Sequence, residues 1–227
     1  MVKPTDKVEV FGIFPTPIYL ASWEEVDPEI IALLDAVEID YSKCDTSKAT
    51  YGQISLDTYV LDRPEFAKLQ DFILKHVKHF AKEVLAYQFT DMVLTQSWIS
   101  VKEPGQQHVF HRHPNSIISG SFYWQEGDIT PLSFEKADRG VNIELTKDFN
   151  NVSDYACDFY VVKPKRYTLA LFPSDLMHGV KENNNDVARK SLAFNTMVTD
   201  ILGVRDNLTE LDFTRLNKRQ SARKQQS

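Results

Sequence analysis

The second part of the sequence, from Met92 onward, consists of short segments that are typical of β-strands. Each segment is rich in β-branched and aromatic residues, and turn residues such as Glu103-Pro104-Gly105 separate one segment from the next. The segments cover residues 93–101, 117–124, 159–162, 167–172 and 191–198. Because a strand must bury one face against another layer, many short strands predict an antiparallel sandwich or barrel.

The first 92 residues favour helices instead. Asp27-Pro28 precedes apolar residues at helical spacing, where the aspartate can accept from the first N–H groups and the proline loses no needed donor. A longer helix is predicted to start near Asp62, with Glu65 three residues later and an apolar stripe running on to Leu85. Helices followed by strands predict an α+β, mainly β, domain.

The chain length of 227 residues suits one domain. We expect residues 1–92 to support the core with a strand and helices, residues 93–204 to form the β core, and residues 205–227 to form a polar basic tail. Residues 136–156 are polar and without periodicity, which predicts a long loop. Residues 215–227 contain five basic residues and no acid, so a net charge of −6 for the chain leaves −11 on the rest. Such a terminus is typically solvated and mobile.

Charge and composition narrow the function classes. A net charge of −6 argues against nucleic acid as a partner. No apolar run approaches the roughly 20 residues of a membrane span, and the opening residues lack the apolar stretch of a signal peptide. Cys44 and Cys157 lie far apart, which indicates a reducing compartment. We therefore expect a cytoplasmic protein without membrane contact, and a homo-oligomer stays open.

His111-Arg112-His113 is the pattern with the clearest chemical meaning. Residues two apart on a strand point to the same face, so both imidazoles can converge on one metal ion. His178 follows the predicted strand 167–172 through a turn that can bring a third imidazole beside them. An isolated His-x-His pair is more often surface decoration, so the interpretation depends on what accompanies it. Two further histidines, His76 and His79, fall on a helix flank and are expected to be solvated.

Arg189-Lys190-Ser191 is the motif that favours a metal site over a surface His-x-His pair. On the predicted strand, Arg189 and Ser191 share the face opposite Leu192 and Phe194. An arginine fork binds a carboxylate through two hydrogen bonds, and a neighbouring hydroxyl adds a third. Three metal ligands with a carboxylate anchor are a pattern expected of an enzyme, although Arg189 alone could equally serve as a surface ion-pair partner.

The ordered combination of these motifs resembles the Fe(II)- and 2-oxoglutarate-dependent oxygenases. More narrowly, it is similar to a family of such oxygenases from bacteria and T4-like phages. The residues that carry the resemblance are Trp98, Gly105, His111-Arg112-His113-Pro114, Ser119-Gly120, Tyr123, Leu171-Phe172-Pro173-Ser174-Asp175-Leu176-Met177-His178, Arg189-Lys190-Ser191 and Phe194-Asn195. The opening FGIFPTPIY, Phe11–Tyr19, also resembles the start of that family.

The resemblance implies a double-stranded β-helix (a jelly-roll, cupin-like barrel) with supporting N-terminal helices. It implies that His111, His113 and His178 hold Fe(II), that 2-oxoglutarate is a co-substrate with O2, and that its distal carboxylate meets Arg189 and Ser191. Such enzymes release succinate and CO2 while they oxidise a substrate C–H bond, usually to an alcohol. If the gene is phage-borne, the location becomes the host cytoplasm.

Ser119 and Tyr123 are further candidates for contact with 2-oxoglutarate. They share strand parity with Ser121, so all three side chains are predicted to face the pocket. A packed barrel tyrosine is an equally good interpretation of Tyr123, and Trp98 fits either the core or the site. Gly105 and Gly120 are expected to permit tight turns or a close strand approach.

One position departs from the broader superfamily. The residue two places after the first histidine is usually a carboxylate, and here it is His113. We favour three histidine ligands. Two other arrangements stay open: His113 with Asn115 as the metal-binding pair and His111 in support, or His111 and His178 without His113. Glu135 or Asp175 would have to supply a carboxylate from a distance.

Rival functions are a cupin-type metal enzyme, a non-catalytic metal-binding β-sandwich protein and a zinc hydrolase. Gly105 and the His-x-His pair match the start of a cupin motif, but Ile117 and Ile118 stand where its glutamate is expected. Asp175 replaces a cupin glycine, and Arg189-Lys190-Ser191 has no role there. Three convincing ligands leave metal positions open, which favours catalysis over a structural site. No general base for a zinc hydrolase is evident.

The substrate class stays broad at this stage. We expect a peptidyl residue or a small molecule, and the acidic body disfavours a strongly anionic one. The predicted loop 136–156 is the candidate cover of the pocket.

Overall fold

A computed structural model describes residues 6–42, 52–136 and 153–224, with side chains described as far as residue 218. The helices are α1 (Pro28–Asp35), α2 (Ala67–His79) and α3 (Phe213–Lys224). The predicted start of α1 is confirmed, because the Asp27 side chain accepts a hydrogen bond from the Glu29 N–H at 3.1 Å and Pro28 is the first helical residue.

The predicted start of the second helix at Asp62 is wrong. Pro64 disfavours a helical conformation in the residue before it, and Arg63 is accordingly extended (φ −71°, ψ 133°). A 3-10 turn over Pro64–Phe66 leads into α2, and a π-helical turn over Phe80–Val84 follows it. Most of the apolar stripe is nevertheless buried as predicted, with Leu69, Ile73, Val77 and Phe80 in the core, but Val84 near its end is 47% exposed.

The strands form two principal antiparallel sheets. In chain order they are β1 (Tyr19–Ser22), β2 (Ile39–Asp40), β3 (Gln53–Ser55), β4 (Met92–Lys102), β5 (His108–His111), β6 (Ile118–Tyr123), β7 (Leu132–Glu135), β8 (Phe159–Val162), β9 (Thr168–Pro173), β10 (His178–Val180), β11 (Arg189–Val198), β12 (Ile201–Leu202) and β13 (Leu211–Asp212). The larger sheet has the order β1-β9-β6-β11-β4-β3-β2, and the smaller has the order β5-β10-β7-β8. The predicted double-stranded β-helix is confirmed, with β12 and β13 forming a separate small sheet.

The two faces of the larger sheet differ. On β11, Leu192 and Phe194 join the main hydrophobic cluster, which also contains Leu69 and Ile73 of α2. The alternate residues Arg189 and Ser191 line a cavity on the other face, beside a second apolar cluster that includes Phe172 of β9. The helices therefore support the sheet from outside and leave its inner face to line the cavity.

The predicted basic tail contains a helix, α3, preceded by the β12–β13 pair. The described basic residues of this helix, Arg215 and Lys218, are exposed. Most of the predicted loop 136–156 lies outside the described residues. No helix in the described part of the chain is long and apolar enough to cross a membrane.

Gly120 on β6 provides a test of the packing behind the site. A Cβ atom there would lie 2.8 Å from the Ala170 carbonyl oxygen and 2.7 Å from Leu171 Cδ2, and it would also collide with the Phe194 ring. We expect Gly120→Ala to lower the free energy of unfolding by about 1–3 kcal/mol in denaturant titrations, because the core must shift to accept the methyl group.

Gly105→Ala is the comparison variant. Gly105 occupies a turn with φ +81°, and a Cβ atom added there would have no heavy atom within 4 Å outside its chain neighbours. Its substitution should cost only the backbone strain, about 1 kcal/mol. Equal stability of wild type and Gly120→Ala would contradict the close strand approach.

Candidate metal centre

The three predicted histidine ligands meet at one end of the cavity. His111 ends β5 and His178 begins β10, and the two residues are register partners in the smaller sheet. His113 lies two residues beyond β5, where its N–H donates to the Ser174 carbonyl oxygen at 2.9 Å. One candidate ligand atom from each of the three side chains lies within 4.8 Å of the other two.

The spacing fits a single metal ion. Nε2 of His113 and Nε2 of His178 are 3.2 Å apart. Two imidazole nitrogens bound to one first-row metal, each about 2.1 Å from it, lie about 3.0 Å apart when the angle at the metal is about 90°. The histidines can therefore hold a metal without a large rearrangement of this pair.

Backbone carbonyl groups select the tautomers of two of these rings. Nδ1 of His111 lies 2.9 Å from the Val109 carbonyl oxygen, and Nδ1 of His178 lies 2.9 Å from the Leu176 carbonyl oxygen. Because a carbonyl can only accept, each Nδ1 carries the hydrogen, and the lone pair of each ring is on Nε2. A hydrogen bond from the ring nitrogen that does not bind the metal is typical of metal-binding histidines.

Burial keeps the imidazoles neutral. It lowers the pKa of His178 to about 3 and the pKa of His113 to about 4, and it also lowers the pKa of His111. The neutral imidazole is the form that binds a metal ion.

Among the described residues, the histidine group includes no carboxylate. Glu135 and Asp175, the distant carboxylates considered from the sequence, are not part of it. Asn115 is an exposed residue with φ 57° in the turn after His113. The structure thus brings together the three histidines favoured from the sequence.

A fourth histidine, His108, also lines the cavity and was missed by the sequence analysis. His178 and Val180 are two residues apart on β10, whereas their partners His111 and His108 are three apart on β5. This extra residue is a β-bulge, which turns His108 toward the same side as His111. Their rings lie 4.5 Å apart and almost parallel. Strand alternation alone would have placed them on opposite faces.

The cavity extends from the histidines into the space between the two sheets. The half-buried Trp98 lines it, with its ring centroid 6.0 Å from that of His113. Trp98 therefore belongs to the site more than to the core, which resolves the choice left open from the sequence.

Arg189 and Ser191 line the same cavity, on the inner face of β11 as predicted. Arg189 is only 2% exposed. Its Nε donates to the Thr130 carbonyl oxygen at 3.0 Å, and its two terminal nitrogens donate to Ser191 Oγ and Tyr123 Oη, each at 3.2 Å. Within the described part of the chain it has no carboxylate partner. A buried guanidinium held only by neutral groups is suited to bind an anion.

Tyr123 and Ser119 have different positions relative to the cavity. Tyr123 is fully buried behind Arg189, with the guanidinium 5.2 Å from its ring centroid. Ser119 is not one of the described residues that line the cavity. Its hydroxyl group forms 2.8 Å hydrogen bonds with Ser174 Oγ and Asn195 Oδ1. Tyr123 thus supports the predicted anchor, whereas Ser119 joins a polar network elsewhere.

Ser100 and Lys102 on β4 are two further residues that the sequence analysis did not select. Ser100 lines the cavity, and Lys102 Nζ donates to Ser100 Oγ at 2.8 Å. The parity of Ser100 with Trp98 on the predicted strand 93–101 was the available signal, since residues two apart share a face. Lys102 lies one residue beyond that predicted strand and ends the observed β4.

Comparisons with known proteins show a family match and a shared fold. Residues 96–195 match the model of a protein family described as "Putative 2OG-Fe(II) oxygenase". No curated protein sequence matches the chain significantly.

Three solved structures share the fold. HygX from Streptomyces hygroscopicus, with nickel, 2-oxoglutarate and hygromycin B bound, is 12% identical with a TM-score of 0.54, over 81% of this chain and 84% of that chain. A Pseudomonas putida prolyl-4-hydroxylase is 15% identical with a TM-score of 0.50, over 80% and 94%. SnoK, a non-heme alpha ketoglutarate dependent carbocyclase from nogalamycin biosynthesis, is 14% identical with a TM-score of 0.56, over 82% and 81%. At these identities the likeness shows the fold alone.

Replacing His178 tests the metal centre. We expect His178→Ala to lower Fe(II) affinity by more than about tenfold, since a directly bound ligand should matter at least as much as the groups that orient it. Metal content after anaerobic loading and desalting measures the effect. His79→Ala, which removes a histidine from α2, should retain iron like the wild type. Equal retention by both variants would remove His178 from the ligand set.

Proposed function

We propose, on the premise that residues 96–195 belong to the 2OG-Fe(II) oxygenase family, that His111, His113 and His178 hold Fe(II) and that Arg189 and Ser191 hold 2-oxoglutarate. The chain is an oxidoreductase of the 2-oxoglutarate-dependent oxygenase type. Its proposed overall reaction converts 2-oxoglutarate, O2 and a substrate C–H group into succinate, CO2 and a C–OH group. Bound Fe(II) supplies the centre at which O2 is reduced in this chemistry.

The observation that carries the proposal is the buried Arg189 in the same cavity as the histidines. A cation that is 2% exposed is costly to bury unless a ligand compensates its charge. A dicarboxylate can bind the metal through one end and the guanidinium through the other. Neither the cupin nor the zinc-hydrolase interpretation gives Arg189 a role.

The histidine set adds an electrostatic reason. Three neutral imidazoles leave Fe(II) with its full +2 charge, whereas a set with one carboxylate would leave +1. The dianion of 2-oxoglutarate therefore balances the metal charge completely in this site. Three protein ligands also leave coordination positions for the oxoacid and O2.

The substrate is proposed to be a peptidyl residue or a small molecule that enters through the cavity mouth. Structures of similar fold are consistent with both classes, since one holds hygromycin B and another is a prolyl-4-hydroxylase. Trp98, half-buried beside His113, is the described aromatic group best placed to contact it. The separated cysteines support a cytoplasmic location.

Anaerobic titration of the Fe(II)-loaded protein with 2-oxoglutarate tests this function. A weak visible charge-transfer band, typical of a chelated oxoacid, should appear in the wild type. Arg189→Met should raise the dissociation constant by about 10- to 150-fold, because hydrogen bonds to a charged group contribute about 1.5–3 kcal/mol. Lys190→Met, which removes a neighbouring cation paired with Asp35 on the outer face, should bind like the wild type.

The other outcomes would redirect the assignment. Iron binding without a band would favour the cupin interpretation. Failure to bind iron would favour a zinc or structural site. Unchanged oxoacid affinity in Arg189→Met would remove Arg189 from the anchor.

A further inference from the structure

A second pair of a cation and a hydroxyl group, on β4, lies beside the Arg189–Ser191 pair of the neighbouring strand β11. Antiparallel pairing of β11 with β4 makes Lys102 the register partner of Arg189, and Ser100 the register partner of Ser191. Side chains at directly opposed positions lie about 4.5–5.5 Å apart at their Cβ atoms. Both serines line the cavity, and both cations are buried, with Lys102 at 0% exposure.

The hydrogen-bond directions are the same in both pairs. Lys102 Nζ donates to Ser100 Oγ at 2.8 Å, and an Arg189 terminal nitrogen donates to Ser191 Oγ at 3.2 Å. Ammonium and guanidinium groups can only donate, so each serine oxygen accepts and its own hydrogen is available to another acceptor. Within the described residues, neither of these buried hydroxyls donates to a protein group. Each one can therefore donate a hydrogen bond to a ligand.

The backbone at residue 52 makes room for Lys102. Gly52 has φ +68°, and a Cβ atom there would lie 2.7 Å from Lys102 Cε and 2.8 Å from Lys102 Cδ, and would also collide with Nζ. A side chain at this position would thus displace the lysine from Ser100. The buried position of the ammonium group depends on this glycine.

We propose that Ser100 and Lys102 form the second half of the oxoacid anchor, so that the Ser100 hydroxyl, supported by Lys102, joins Arg189 and Ser191 in holding the distal carboxylate of 2-oxoglutarate. The inference rests on the proposed function. Ser100 touches the carboxylate, and Lys102 is a positioning residue that acts through Ser100 and through its charge. Two hydroxyl donors on adjacent strands match the two oxygens of one carboxylate. The arrangement selects a dicarboxylic oxoacid over a monocarboxylic one.

The test compares 2-oxoglutarate with 2-oxopentanoate, which has the same carbon chain but a methyl group in place of the distal carboxylate. Dissociation constants are measured anaerobically on the Fe(II)-loaded protein for the wild type, Ser100→Ala, Lys102→Met and the double variant. Lys190→Met is the matched control for loss of a lysine charge. Ser100→Ala changes only one hydroxyl group, so it keeps the test valid if Lys102→Met does not fold.

We expect Ser100→Ala and Lys102→Met each to weaken 2-oxoglutarate binding by about tenfold, the low end for a hydrogen bond to a charged group. Binding of 2-oxopentanoate should stay unchanged, so the preference for the dicarboxylate falls. The double variant should lose little more than Lys102→Met alone, since the lysine acts through the serine.

Two results would overturn the inference while leaving the proposed function intact. One is unchanged 2-oxoglutarate affinity in both single variants when Arg189→Met is impaired. The other is equal weakening of both oxoacids, which would indicate a structural role. Absence of 2-oxoglutarate binding by the wild-type iron protein would instead overturn the proposed function itself.

Discussion

The antiparallel pairing of β10 with β5 determines the geometry of the proposed metal centre. It places His178 opposite His111 and brings their ring centroids to 4.4 Å. Gly179 permits this approach, because a Cβ atom there would lie 2.8 Å from the His108 carbonyl oxygen. The backbone carbonyl groups of Val109 and Leu176 then orient the two rings. The pairing of two adjacent strands thus brings together two proposed ligands that are 67 residues apart in the sequence.

Side-chain alternation on the larger sheet places core residues on one face and cavity-lining residues on the other. On β11, Leu192 and Phe194 pack with the helices, while Arg189 and Ser191 on the opposite face line the cavity. The same alternation on β4 sends Ile99 into the core and Ser100 into the cavity. The helices cover the apolar face of the larger sheet. Its inner face can therefore carry buried cations, which a sheet packed in apolar contacts on both faces would exclude.

Much of this arrangement could be predicted from local sequence patterns. Strand periodicity located the main strands within a few residues, and the His-x-His spacing with Arg189-x-Ser191 identified residues that share the cavity. The prediction for Asp62 was wrong because the restriction that Pro64 places on Arg63 outweighed the capping-box spacing.

The features that were missed depend on relations between strands. His108 faces the cavity through a bulge, which a strict two-residue alternation cannot anticipate. Ser100 and Lys102 can be placed beside Ser191 and Arg189 only when the register of β4 against β11 is known. Ser119 has the predicted parity, but its hydroxyl bonds with Ser174 and Asn195 rather than lining the cavity. Parity fixes the face of a side chain and not its distance along the barrel.

We propose that a metal centre of three neutral imidazoles shares one cavity with a buried carboxylate anchor. A crystal structure of the protein loaded anaerobically with Fe(II) and 2-oxoglutarate would test this proposal, with anomalous scattering at the iron edge to locate the metal. We expect iron bonded to His111, His113 and His178, with the distal carboxylate of 2-oxoglutarate against Arg189. A carboxylate ligand in place of His113, or an oxoacid directed away from Arg189, would contradict it.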